Sequence, residues 1–137
     1  MTEDQAVKKI QQFFKEKNGS FIYKNQKGNF VTCKKIEDGI VVDCLNDSGY
    51  KQFLPWGVFW QAVHVIIING GSAQKGKAIG PVLGDPELPI NSVEGWVANV
   101  VYGKQPGDIV YRRISPIAHI LSASGVCVNG AFLKLID

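Results

Sequence analysis

The chain has 137 residues, 45% hydrophobic and 20% charged, with 15 Lys and Arg against 12 Asp and Glu. Such a composition excludes a disordered tail, a collagen-like repeat and a disulfide-stapled miniprotein, and it fits one domain over residues 1–137. A formal net charge of +3 permits contact with nucleic acid without demanding it.

Residues 2–17 read as an amphipathic helix. Thr2 or Asp4 caps it, Ala6, Val7, Ile10, Phe13 and Phe14 form one face, and Asn18-Gly19 ends it. Lys15 and Lys17 fall in the last turn, where cations suit the helix dipole. The acidic, polar start Met1-Thr2-Glu3-Asp4 is unlike a secretory signal, so the expectation is a cytoplasmic protein with reduced thiols.

Short strands are expected at residues 21–24, 29–36, 40–45 and 50–54, with turns at 25–28, 38–39 and 46–49. A two-residue turn at Asp38-Gly39 sets Lys34 against Asp43 and Cys33 against Cys44, whereas a three-residue loop over 37–39 shifts the register by one. Cys33, Cys44 and Cys127 are widely spaced with no C-x-x-C, so they read as small buried side chains and not as zinc ligands.

Pro55 opens a helix over 55–69 that is apolar nearly all round, although Val65 to Ile68 also suits a strand. At this length it is too short to cross a bilayer, so no membrane is expected. Such a helix is either the centre of the core or, with Trp56, Trp60 and Trp96, a surface for a homodimer or other protein partner. Residues 1–54 thus form a helix plus meander, and 55–137 a second half with a long loop at 70–89.

That loop holds Gly71-Ser72-Ala73-Gln74-Lys75-Gly76-Lys77, a match to the phosphate-loop spacing G-x-x-x-x-G-K. Ala78 brings no hydroxyl for magnesium, and Ile79-Gly80-Pro81 opens no helix, so nucleotide hydrolysis is not expected. The loop reads instead as a flexible segment whose Lys75 and Lys77 can grip a phosphate backbone. His64 and His119 lie on apolar helical stretches and read as structural. Asp85, Glu87 and Lys77 lack the spacing of a magnesium cluster. No catalytic residue, cofactor or metal is expected, and the chain reads as a non-enzyme.

The last third carries the clearest order. Asn91-Ser92-Val93-Glu94 has a polar cap three residues before a Glu, and Trp96, Val97, Val100 and Val101 follow at helical spacing, for a helix over 92–102. Residues 103–108 are turn chemistry, and another helix runs to Ser124 and stops at Gly125. Pro116 argues that 109–114 is extended and that Ser115 caps a helix from Pro116. Asn129-Gly130 between apolar runs signals a hairpin over 126–136.

Helix, helix, hairpin in this order, after the helix at 55–69, resembles the winged helix-turn-helix family of DNA-binding proteins. The resemblance implies an α+β fold whose helix ending at Ser124 enters the major groove by its N-terminal part. Carried over by position, Tyr111, Arg112, Arg113 and Ser115 would face DNA, with Asn129 at the wing tip and Lys134 on the wing touching backbone. Lys75, Lys77 and Lys104 would add phosphate contacts. The implied function is non-catalytic binding of double-stranded DNA, as a module of a restriction, defence or mobile-element system. The alternative is a protein-interaction or inhibitor module that uses the Trp-rich helix.

Overall fold

The computed structural model describes residues 1–44 and 51–136. They form an α+β fold of helices α1 (Glu3–Glu16), α2 (Trp56–Ile68), α3 (Val93–Val100) and α4 (Ile114–Ala123) with two antiparallel sheets. One sheet is the meander β1 (Ser20–Lys24), β2 (Phe30–Ile36), β3 (Gly39–Cys44) and β4 (Lys51–Pro55). The other holds β5 (Ser72–Gln74), β6 (Cys127–Asn129) and β7 (Phe132–Leu135), with β7 in the middle.

Thr2 caps α1 through a capping box: its hydroxyl accepts the Gln5 N–H at 3.1 Å, and the Gln5 side chain accepts the Thr2 N–H at 2.8 Å. The helix buries Ala6, Ile10 and Phe14 against α2. Pro55 ends β4 and stands as the residue before α2, which is helical through Val65 and Ile66 and not a strand there. Val58, Phe59, Ala62, Val63, Val65 and Ile66 are fully buried, so α2 is the centre of the main core. It packs on α1, α3, β4, β5 and β7.

The β2–β3 hairpin differs from the expected register. Ile36 pairs with Gly39, so the turn is Glu37-Asp38, Lys34 faces Val41 and Cys33 faces Val42. Close packing selects this turn: a Cβ at Gly39 would run into the Leu54 carbonyl oxygen and lie 2.7 Å from the Pro55 Cα. Gly39 is therefore needed inside the strand pair, and the turn moves back by one residue. Pairing moves by two positions, so Cys33 and Cys44 both stay on the buried face. Leu45, Tyr50 and the expected turn at 46–49 lie outside the described residues.

Residues 70–89 are not a structureless loop. β5 pairs with β7, and Ala78, Leu83 and Leu88 form a second small core with Ala98 and Val110. Backbone bonds fix the segment, among them Lys77 N–H to Glu87 at 2.9 Å, Leu83 N–H to Asp108 at 3.0 Å and Gly107 N–H to Leu83 at 2.8 Å. Apolar residues between the glycines and prolines provide a core that the turn residues alone do not announce.

α4 begins at Ile114, and Pro116 sits at its third position, where a backbone N–H has no intrahelical partner to lose. The final hairpin is wider than a two-residue Asn129-Gly130 turn: Asn129 pairs with Leu133, which leaves residues 130–132 as the connection. Asn129 thus belongs to the strand and not to the tip.

Candidate functional site: a basic cleft between the meander and α4

A cleft of about 560 Å³ opens where the meander meets the start of α4. One wall is the β1–β2 hairpin, including Tyr23, Lys27 and Asn29; the other is Arg112, Ser115 and His119. Lys75 and Gly76 follow β5 into it, and Asn129 enters from β6.

Contacts across the cleft root fix its width. Tyr23 stacks on the His119 ring with centroids 3.9 Å apart, and its hydroxyl lies 3.3 Å from Ser115 Oγ. Gln52 of β4 donates from Nε2 to the Arg112 carbonyl at 2.8 Å. The meander therefore holds both the backbone and the side chains at the start of α4. Asn25 closes the β1–β2 turn by accepting the Asn29 N–H on its side chain at 2.9 Å.

The lining is electropositive. Lys27, Lys75 and Arg112 contribute cations, and among the described residues no Asp or Glu lines the cleft. Burial lowers the Lys75 pKa. His119 is lowered as well, first by burial and then by the Lys75 charge, which favours a neutral ring beside a cation. The Asn129 Oδ1 atom is buried and has no hydrogen-bond partner.

A carboxylate lies behind the cleft. Glu94 of α3 is fully buried, and its Oε1 and Oε2 each accept the Arg113 N–H at 3.0 Å, while Oε2 also accepts the Ile114 N–H at 2.8 Å. The expected capping role of Glu94 within its own helix does not hold: Ser92 caps α3, accepting the Gly95 N–H at 3.1 Å. Glu94 instead serves α4, whose own preceding residue, Arg113, offers no side-chain cap. Gly76 passes over this point with φ +86°, and a Cβ there would lie 2.6 Å from Ser92 Oγ.

The sequence-expected contacts separate into two sets. Lys75, Arg112, Ser115 and Asn129 come together in the cleft. Lys77, Lys104, Tyr111, Arg113 and Lys134 do not line it. Arg113 is buried, its guanidinium 3.6 Å from the Tyr102 ring centroid and donating to the Tyr111 carbonyl at 3.3 Å. Lys77 is exposed beside Glu87, with 3.6 Å between the charges. Lys104 uses its carbonyl to accept from Asn99 at 2.7 Å. Tyr111 and Lys134 are exposed. Tyr23, Lys27 and His119 are cleft residues that spacing alone did not bring forward, because they join it through the packing of two distant hairpins and a helix.

α4 presents little surface: among Ile114–Ala123, only Ser122 and Ala123 are exposed, and Ser115 and His119 are half-buried toward the cleft. The three tryptophans are half-buried, and each indole N–H has a partner. Trp56 donates to the Glu37 carbonyl at 2.8 Å, Trp60 to Asp4 at 3.0 Å and Trp96 to Gln61 at 2.9 Å. Exposed apolar side chains gather instead on the outer face of the meander, at Ile22, Phe30 and Phe53.

Among the described residues no group of three or more His, Cys, Asp and Glu is placed to hold a metal ion, and no helix is long and apolar enough to cross a membrane. No known protein family, curated protein or solved structure matches the chain.

Proposed function

We propose that this protein binds DNA without catalysing a reaction on it, and that the basic cleft is where it grips the phosphate backbone. The observation that carries this reading is a cleft lined by Lys27, Lys75 and Arg112 with no carboxylate among the described residues. Three cations facing one concavity repel each other until an anion enters, and a polyanion with regularly spaced phosphates supplies the anion repeatedly. Ser115 adds a hydroxyl donor beside Arg112, and Lys134 and Lys77 add exposed charge outside the cleft.

The test is fluorescence anisotropy with labelled DNA, duplex and single-stranded, at two salt concentrations, for the native chain and a Lys75→Ala/Arg112→Ala variant. Binding should weaken steeply with salt, and the variant should bind more weakly with a shallower salt dependence. No binding of either form of DNA at low salt would remove the reading.

A further inference from the structure

We infer that the outer face of the meander is a stacking platform for unpaired bases of a DNA single strand, with Phe30 and Phe53 as its rings and Lys24, Lys34 and Lys51 as its phosphate partners. The choice of DNA rests on the DNA-binding reading, but the surface is separate from the cleft.

The strand register assembles this face. Tyr23, Val31, Cys33, Val42, Cys44 and Leu54 are buried under the sheet, so the residues that alternate with them point outward. Lys24 lies across from Phe30, Lys34 from Val41, Val41 from Phe53, and Asp43 from Lys51. An open antiparallel face ordinarily carries polar side chains. Here Phe30 is 52% and Phe53 45% exposed, with Ile22 at 58% on the same face. Among the described residues no other ring lies on Phe30 or Phe53. Their register sets them two strands and four residues apart, on the order of 15 Å at ordinary sheet spacings. They therefore serve bases a few nucleotides apart in one strand, with Thr32 and Val41 between.

Charge selects the occupant. Lys24, Lys34 and Lys51 face Asp43 alone among the described strand residues of this face. A second copy of the chain would bring the same excess of lysines against itself. A strand that alternates bases with phosphates meets both the rings and the cations. Lys24 Nζ is 5.8 Å from the Phe30 centroid, on a flexible arm, so a base on Phe30 has an ammonium beside it for its phosphate. In a duplex each base face is covered by its stacked neighbours, so the bases that reach these rings are unpaired. Lys27, in the turn between Lys24 and Phe30, also lines the cleft, so one strand can run from the cleft over the hairpin tip onto the platform.

The experiment measures binding of a labelled mixed-sequence DNA single strand and of the duplex of the same sequence to the native chain and to Phe30→Leu/Phe53→Leu. Leucine keeps the apolar bulk and removes the ring. Single-strand affinity is expected to fall about tenfold in the variant, with duplex affinity unchanged. Unchanged single-strand affinity, or an equal loss for the duplex, overturns the platform and leaves the DNA-binding reading to the cleft. Binding of neither form to the native chain overturns both. Sedimentation without DNA tests the second copy: a native dimer that the variant abolishes gives the face to self-association and overturns the inference, whereas a native monomer supports it. Photocrosslinking of the single strand to the native chain decides the matter even if the variant does not fold. Crosslinks at Phe30 or Phe53 are expected, and their absence from both overturns the platform.

Discussion

Both carboxylate oxygens of Glu94 accept the backbone N–H of Arg113, each at 3.0 Å, and so a side chain from the middle of the fold caps a helix nineteen residues further along. The bonds tie α3 to α4 where the cleft cations emerge. They also leave a fully buried acid with no ammonium or guanidinium in a salt bridge to it among the described residues. Burial pushes its carboxyl up to about 7, against the pull of the Arg113 and Ile114 N–H groups and the Arg113 and Arg112 charges.

A pH dependence of stability follows. The ordinary value is 4.5, so between there and about 7 the folded chain binds more proton than the unfolded one. The contribution of Glu94 is therefore complete below pH 4.5 and is lost as pH rises through about 7, by up to about 3 kcal/mol. Glu94→Gln does not titrate. The melting temperature of the native chain should fall relative to Glu94→Gln between pH 5 and 8, and parallel profiles would show that Glu94 does not carry the effect.

The glycines of α2 and α3 should respond in opposite directions to alanine. At Gly95 a Cβ would run into the Pro89 carbonyl oxygen and sit 2.9 Å from Ser92 Oγ, the atom that caps α3. Pro89 is rigid backbone, so Gly95→Ala should cost about 2 kcal/mol or more, as overpacking does. Gly57 in α2 has nothing within 4 Å of its would-be Cβ, and Gly57→Ala should add about 0.5 kcal/mol through helix propensity. Urea melts of the two variants give both signs, and a neutral Gly95→Ala would mean that the 89–95 turn relaxes freely.

The legible parts of this fold were those written in local chemistry. Thr2 caps α1 within one turn, the apolar run of α2 marks the core, and Gly125 follows α4. What escaped depends on partners distant in sequence. Gly39 looks like a turn residue, but the approach of Leu54 and Pro55 puts it in a strand and moves the β2–β3 register. Residues 70–89 look like a tether by glycine and proline content, yet Leu83 and Leu88 find Ala98 and Val110. Of the adjacent arginines, nothing local says that Arg112 reaches the cleft while Arg113 folds back on Tyr102. Lys75 and Asn129 were recognisable as polar residues on loops and turns, but the cleft they share needs the Tyr23 wall, contributed from the other half of the chain.

The cysteines should be chemically silent in the folded state. Cys33 and Cys127 are buried, and burial pushes both thiols up to about 12, so thiolate at neutral pH is negligible. A colorimetric thiol reagent should react with neither at a measurable rate in buffer, and with all three cysteines, Cys44 included, at once in denaturant. Fast labelling of Cys33 or Cys127 in the native protein would reveal local opening of the core.

The two adjacent arginines give the sharpest contrast between binding and folding. Arg112 is exposed, lines the cleft and has its backbone, not its guanidinium, held by Gln52. Arg112→Ala should leave the melting temperature within about a degree, since exposed side chains away from packed contacts contribute little to stability. It should reduce the salt slope of DNA binding by about 1, one phosphate contact. Arg113 packs its guanidinium on Tyr102 and bonds the Tyr111 carbonyl, so it joins the end of α3 to the start of α4. Arg113→Ala should lower stability by about 1–2 kcal/mol, from the lost stacking and hydrogen bond, with the salt slope unchanged under conditions where the variant is folded. Measured together, melting curves and salt titrations separate the roles. A steeper loss of salt dependence in Arg113→Ala than in Arg112→Ala would place the phosphate on the Tyr102 side of the loop and away from the cleft.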